Sequence, residues 1–240
     1  MTTGFVVAER KVEGRRESGD TAETRLTIDA SVGCERLEQR ILRFEPGRSA
    51  PRTLAGAEEV LYVADGRGTL HVDGEPHELE PETGAYVAEG ETWSVENPGP
   101  DELVLVAVRA PAGNGSDPER RKVTVRYADQ PALPASPNRE FRYLVNQDAG
   151  CLDVTQFVGV IPPGRAPLHS HTYDEVVYVV EGEGVLHLGG DSTALARGSC
   201  IHLPPLVMHC LENVGDTPMR VMGVFHPSGD PASRAAVANE

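Results

Sequence analysis

Short apolar or alternating runs bounded by Gly and Asp punctuate the chain: VLYVAD (60–65), TLHVDG (69–74), VVYVVE (176–181) and VLHLGG (185–190). Side chains of an extended strand alternate faces with period two, so such runs predict half-buried strands paired as hairpins rather than helices. Gly (25) and Pro (19) recur at short intervals among plentiful aliphatic β-formers, which fits many short strands joined by tight turns. The expected fold class is all-β.

The pattern repeats. EVLYVADGRGTLHVDGE (59–75) aligns with EVVYVVEGEGVLHLGGD (175–191) at an offset of 116, and the same offset carries WSVENPG (93–99) onto HCLENVG (209–215). Upstream, Pro46-Gly47 meets Pro163-Gly164 at an offset of 117, so the first copy holds one extra residue before Glu59. A period this long fits a duplicated domain, not a solenoid. The expected organisation is an N-terminal arm (1–22), a first barrel (23–112), a linker (113–137), a second barrel (138–228) and a tail (229–240). The linker is polar and Pro-rich apart from KVTVRY (122–127), a strand expected to pair with a neighbouring barrel, and the tail is expected to form a short helix after Pro231 or to fray.

A formal net charge of −15 repels phosphate backbones and anionic lipid, and the basic run Arg120-Arg121-Lys122 lies in the linker, so neither a nucleic acid nor a membrane is expected as a partner. The first twenty residues lack the apolar run of a signal peptide and no run of about 18 apolar residues occurs, so a soluble, cytoplasmic protein is expected. Cys34, Cys151, Cys200 and Cys210 show no CxxC spacing and are expected as thiols.

Chemistry concentrates in the second copy. His169 and His171 stand two apart in an expected strand, which aims both imidazoles to one side. Glu175 shares their parity beyond the turn Thr172-Tyr173-Asp174, and His209 reaches the same place from a separate strand. Three imidazoles and a carboxylate suit Fe, Mn, Ni, Cu, Co or Zn rather than Ca or Mg, and an octahedral ion would keep two positions for water, oxygen or substrate.

These residues resemble the cupin superfamily. The first cupin motif reads here as Gly164, four residues, His169-x-His171, three residues, Glu175, six residues, Gly182, one residue short after the leading Gly. The second reads as Gly198, five residues, Pro204, then His209 and Asn213, with Leu206 where the motif has Gly. The resemblance implies two tandem jelly-roll (double-stranded β-helix) barrels, a homodimer, and one divalent transition metal per chain, Fe or Mn favoured, with Ni, Cu, Co or Zn as alternatives. It also implies that His202, on a strand that in cupins lies near the metal, serves as a catalytic acid or base. In the first copy Arg52, Leu54 and Trp93 replace the three imidazoles and only Glu59 remains, so that barrel is expected to lack metal or to offer a metal-free pocket for an anion or sugar. His187 and His71, Tyr178 and Tyr62, and Asn213 and Asn97 recur in both copies and are expected to serve the fold. The expected function is a metal-dependent dioxygenase acting on a small enol, phenol or keto acid; a metal-dependent isomerase, lyase or decarboxylase and a non-catalytic small-ligand binder are the alternatives.

Overall fold

The computed structural model describes residues 4–233. Two barrels follow one another, each built from a seven-stranded and a smaller sheet. In the first, the large sheet has the central order Thr83–Val87, Ala57–Asp65, Leu103–Pro111, Glu38–Phe44 and Ala22–Ile28. In the second, the corresponding order is Ser199–Leu203, Asp174–Glu181, Met219–His226, Thr155–Ile161 and Arg139–Val145. The smaller sheets contain Thr92–Asn97, Gly68–Val72 and Glu75–Leu79 in one copy, and His209–Asn213, Glu183–Leu188 and Asp191–Ala196 in the other.

Period-two alternation places the core on both faces of each large sheet. Leu61 and Val63 face the interior of the first barrel, while Val60 and Tyr62 face outward into a second apolar cluster. Val177 and Val179 fill the second barrel, while Val176 and Tyr178 meet that same cluster. The two large sheets therefore pack back to back, and Tyr62 and Tyr178 are buried in the seam. Gly84 permits this approach, because a Cβ there would lie 2.6 Å from the Cβ of Leu144.

The edges of the large sheets are exchanged. Phe5–Ala8, which precedes the first barrel, pairs antiparallel with Ser199–Leu203 of the second. Thr124–Arg126, which precedes the second barrel, pairs with Thr83–Val87 of the first. Part of the N-terminal arm is thus structurally an edge of the far barrel, and the linker strand caps the near one. Leu133–Ser136, inside the expected linker, already forms the far edge of the second large sheet.

Turns repeat as faithfully as strands. The Asn97 side chain donates to the carbonyls of Phe44 and Asp101 and accepts from Gly99, and Asn213 does the same with Ile161, Thr217 and Gly215. His187 bonds Glu212 at 2.7 Å, as His71 bonds Glu96 at 3.3 Å, both across neighbouring strands. Residues 230–233 form a turn, and the remainder of the expected tail helix lies outside the described residues. No helix among the described residues is long and apolar enough to cross a membrane.

Candidate metal centre

His169, His171 and His209 converge at the mouth of the second barrel, each bringing one nitrogen within 4.8 Å of the others. Their ring centroids lie 4.9, 4.7 and 5.1 Å apart. The sequence places the two leading imidazoles on a strand, but residues 166–173 are largely irregular, and His169 alone forms an isolated bridge, to His209. Backbone bonds in both directions, 3.0 and 2.8 Å, hold that pair together.

Hydrogen bonds at Nδ1 orient all three rings. His169 Nδ1 lies 3.1 Å from the Pro167 carbonyl, His209 Nδ1 2.8 Å from that of Val207, and His171 Nδ1 3.1 Å from that of Ser233. Donation from each Nδ1–H leaves the Nε2 lone pair as the coordinating atom, the tautomer a metal ligand requires. Tyr173, a turn residue in the sequence reading, stacks on His171 and places its hydroxyl 3.0 Å from that Nδ1. Glu175 enters from the first strand beyond the turn, with Oε2 3.6 Å from His171 Nε2.

The electrostatics are those of a cation site. Burial alone lifts the Glu175 carboxyl to about 8, and burial with the His169 charge lowers His209 to about 4. A buried carboxylate and a neutral imidazole are stabilised together by a bound cation. Space is reserved for the carboxylate, since a Cβ at Gly223 would collide with the Phe157 ring and lie 3.2 Å from Glu175 Oε1. The three imidazoles and the carboxylate thus fit a divalent transition ion.

The four donors line a cavity of about 110 Å³ walled by Phe141, Phe157, Phe225 and Leu203, with Arg139 at its edge. Sequence reasoning missed these walls, although the aromatic residues of the chain are few and Phe141, Phe157, Tyr173 and Phe225 form one cluster.

His202 is not in that cavity. Ile201 and Leu203 face the barrel interior, so the intervening side chain points to the opposite side of the sheet, toward the first barrel, where His202 is fully buried and bonds Asp174 at 3.0 Å. An acid or base role beside the ion is therefore replaced by a place in the seam.

The first barrel shows what the missing ligands became. Arg52 pairs with Trp93 in the ladder, the same pairing that joins His169 to His209. The Arg52 guanidinium lies over the Trp93 ring at 5.2 Å and pairs with Asp20 at 2.5 Å. Glu59 is fully buried and ion-paired with Arg40, so a protein cation stands where the second barrel offers room for an ion. Arg52 also lines a groove of about 670 Å³, whose walls do not include Glu59 or Trp93.

Two tandem jelly-roll barrels, one with three imidazoles and a carboxylate clustered at its mouth and one closed by arginine, define a two-barrel protein whose second barrel carries a candidate metal centre. The Cupin domain family model matches residues 40–109 and 157–225, one match in each barrel, and the chain belongs to the cupin family. Gentisate 1,2-dioxygenase from a Streptomyces species is 33% identical over 124 residues, 49% of this chain and 30% of that protein. Protein MJ1618 of Methanocaldococcus jannaschii is 31% identical over 70 residues, 28% of this chain and 56% of that protein. The chain thus spans about half or less of these relatives. Among solved structures, Ylba from E. coli superposes with a TM-score of 0.79 at 12% identity over 94% of this chain and 91% of that one. Bacillus subtilis oxalate decarboxylase OxdC superposes with a TM-score of 0.76 at 14% identity over 94% and 77%.

Proposed function

We propose that the second barrel binds one divalent transition metal through His169, His171, Glu175 and His209, and that the chain is a dioxygenase acting on a small enol, phenol or keto acid. The observation that carries this reading is the convergence of three Nδ1-anchored imidazoles and a buried carboxylate on a small cavity with aromatic walls. His169, His171, Glu175 and His209 would hold an Fe or Mn ion, which would supply Lewis-acid and redox chemistry toward oxygen and an anionic substrate. Phe141, Phe157 and Phe225 exclude water and favour a flat apolar substrate body, and Arg139, which also lines the cavity, is a cation that would pair with a substrate carboxylate. The likeness to gentisate 1,2-dioxygenase, covering half of this chain, supports the same chemistry.

A second reading, isomerisation or decarboxylation with the ion as Lewis acid, needs a proton carrier. Glu140 lines the cavity and is exposed, which gives that reading its one candidate. Oxygen-electrode assays of the iron- and manganese-loaded protein against gentisate-like phenols, enols and keto acids separate the two. Oxygen uptake stoichiometric with substrate loss is expected; equal turnover under strict anaerobiosis would replace the dioxygenase by the Lewis-acid reading.

A further inference from the structure

Directly behind Glu175, on the opposite face of its sheet, lies a second cluster of ligand-type side chains. Cys34 from the first barrel and Asp174 and His202 from the second each bring one donor atom within 4.8 Å of the others. Cys34 is 1% exposed and His202 0%, while the Asp174 side chain retains 12%. His226 is the ladder partner of Asp174 and faces the same side. The Nδ1 atoms of both His202 and His226 are buried without a hydrogen-bond partner, an arrangement that is costly unless something else binds there.

The internal repeat supplies a control. Cys34, Asp174 and His202 correspond to Cys151, Glu58 and Tyr86, which occupy the mirrored place in the seam. That trio is satisfied internally: Tyr86 donates to Glu58 at 2.7 Å and Cys151 lies 3.4 Å from the same carboxylate. In the other trio tyrosine has become histidine and glutamate the shorter aspartate, and His226 stands where the first copy has Ala110. In this trio His202 and Asp174 still bond each other at 3.0 Å, but the Nδ1 atoms of His202 and His226 are left over.

We propose that Cys34, Asp174 and His202, with His226 as fourth donor, form a second metal site for a borderline-soft divalent ion of the zinc type, clipping the two barrels together. Thiolate, imidazole and carboxylate are the ligands such an ion takes in closed four-coordinate sites. A surface pocket of about 270 Å³, lined by Asp29, Cys34 and Arg36 among others, reaches the cluster at Cys34. On binding, the Cys34 S–H bond is exchanged for a sulfur–metal bond and the proton leaves to solvent. Burial otherwise holds that thiol up at about 12, so the cation takes the place of the proton.

Cobalt(II) tests this, because a thiolate ligand produces a near-ultraviolet charge-transfer band that an all-imidazole and carboxylate centre lacks. Full-length protein saturated with Co²⁺ is expected to hold two ions and show the band. Cys34→Ser should retain one ion and lose the band, whereas His209→Ala should lose the other ion and keep it, so failure of the cavity site and failure of the seam site are distinguishable. His226→Ala, which installs the first copy's residue, is the variant least able to disturb the fold, and it should weaken cobalt binding at the thiolate site at least about tenfold. Absence of the band in the cobalt-saturated protein, its persistence in Cys34→Ser, or unchanged affinity in His226→Ala would each overturn the four-donor site.

Discussion

Glu175 and His209 respond to burial in opposite directions, and both responses bear on metal loading. At pH 7 the ion-free Glu175, raised to about 8, carries a proton that a cation must displace, whereas His209, lowered to about 4, is already neutral. Binding at pH 7 should therefore release about one proton per ion from this carboxyl, and affinity should rise up to about tenfold per pH unit until pH 8 is reached. Calorimetry in buffers of different ionisation enthalpy measures both. Glu175→Gln should abolish that proton release and weaken binding by about 10–100-fold; His169→Ala or His209→Ala should strip the ion, and Trp93→Ala should leave metal content unchanged. A second buried carboxyl adds to the pH dependence of stability that Glu175 gives the ion-free protein. Burial raises Glu58 to about 7, so between its ordinary value and pH 7 the folded state holds more protons than the unfolded one, and stability falls as pH rises through that window. Glu58→Gln should remove this contribution, leaving that of Glu175, and gain up to about 3 kcal/mol at pH 8, as read by urea unfolding at pH 5 and pH 8. The donor positions were legible as spacing, because motif residues are local in sequence. Tyr173, Arg139 and the phenylalanine walls were not, because their convergence depends on packing between distant strands.

Among the elements, the exchanged edge strands and the ladder beneath Glu175 carry the most consequence. Val7 of the first strand packs partly buried against the seam while Val6 packs into the second barrel. A charge at Val7 would be desolvated between two apolar sheets, so Val7→Asp should cost about 2–4 kcal/mol of stability in a denaturant titration, against under about 0.5 kcal/mol for a change at exposed Arg15 of the short strand Arg15–Arg16. Gly223→Ala should press Phe157 and Glu175 apart and weaken metal binding by about tenfold or more while leaving the strand order intact, as checked by metal titration and circular dichroism. The strand patterns and the 116-residue register were readable from alternation, and the shared ladder position of Arg52 with Trp93 and His169 with His209 bears that register out. Which barrel each edge strand joins was not readable, since period two fixes the face of a strand and not its neighbour. The same limit misplaced His202: parity puts it on one of two faces, and the seam makes both faces apolar.

At the scale of the whole molecule, the apolar seam between the barrels joins both large sheets in one cluster. A seam of this kind couples the halves, so differential scanning calorimetry should show one cooperative transition with calorimetric and van't Hoff enthalpies in agreement. Two resolved transitions would mean that the barrels are independent. The back-to-back packing was invisible in the sequence beyond the excess of apolar positions on both faces of strands such as VLYVAD, the mark of a doubly covered sheet. The pairing of Phe5–Ala8 with Ser199–Leu203 also imposes an order on biosynthesis. The strand Phe5–Ala8 has no place to dock until nearly two hundred further residues have been translated, an interval of roughly 10 to 40 s at ordinary rates. During that wait the nascent chain carries an unpaired β-segment, and the second barrel's large sheet gains that edge only after Ser199–Leu203 has emerged.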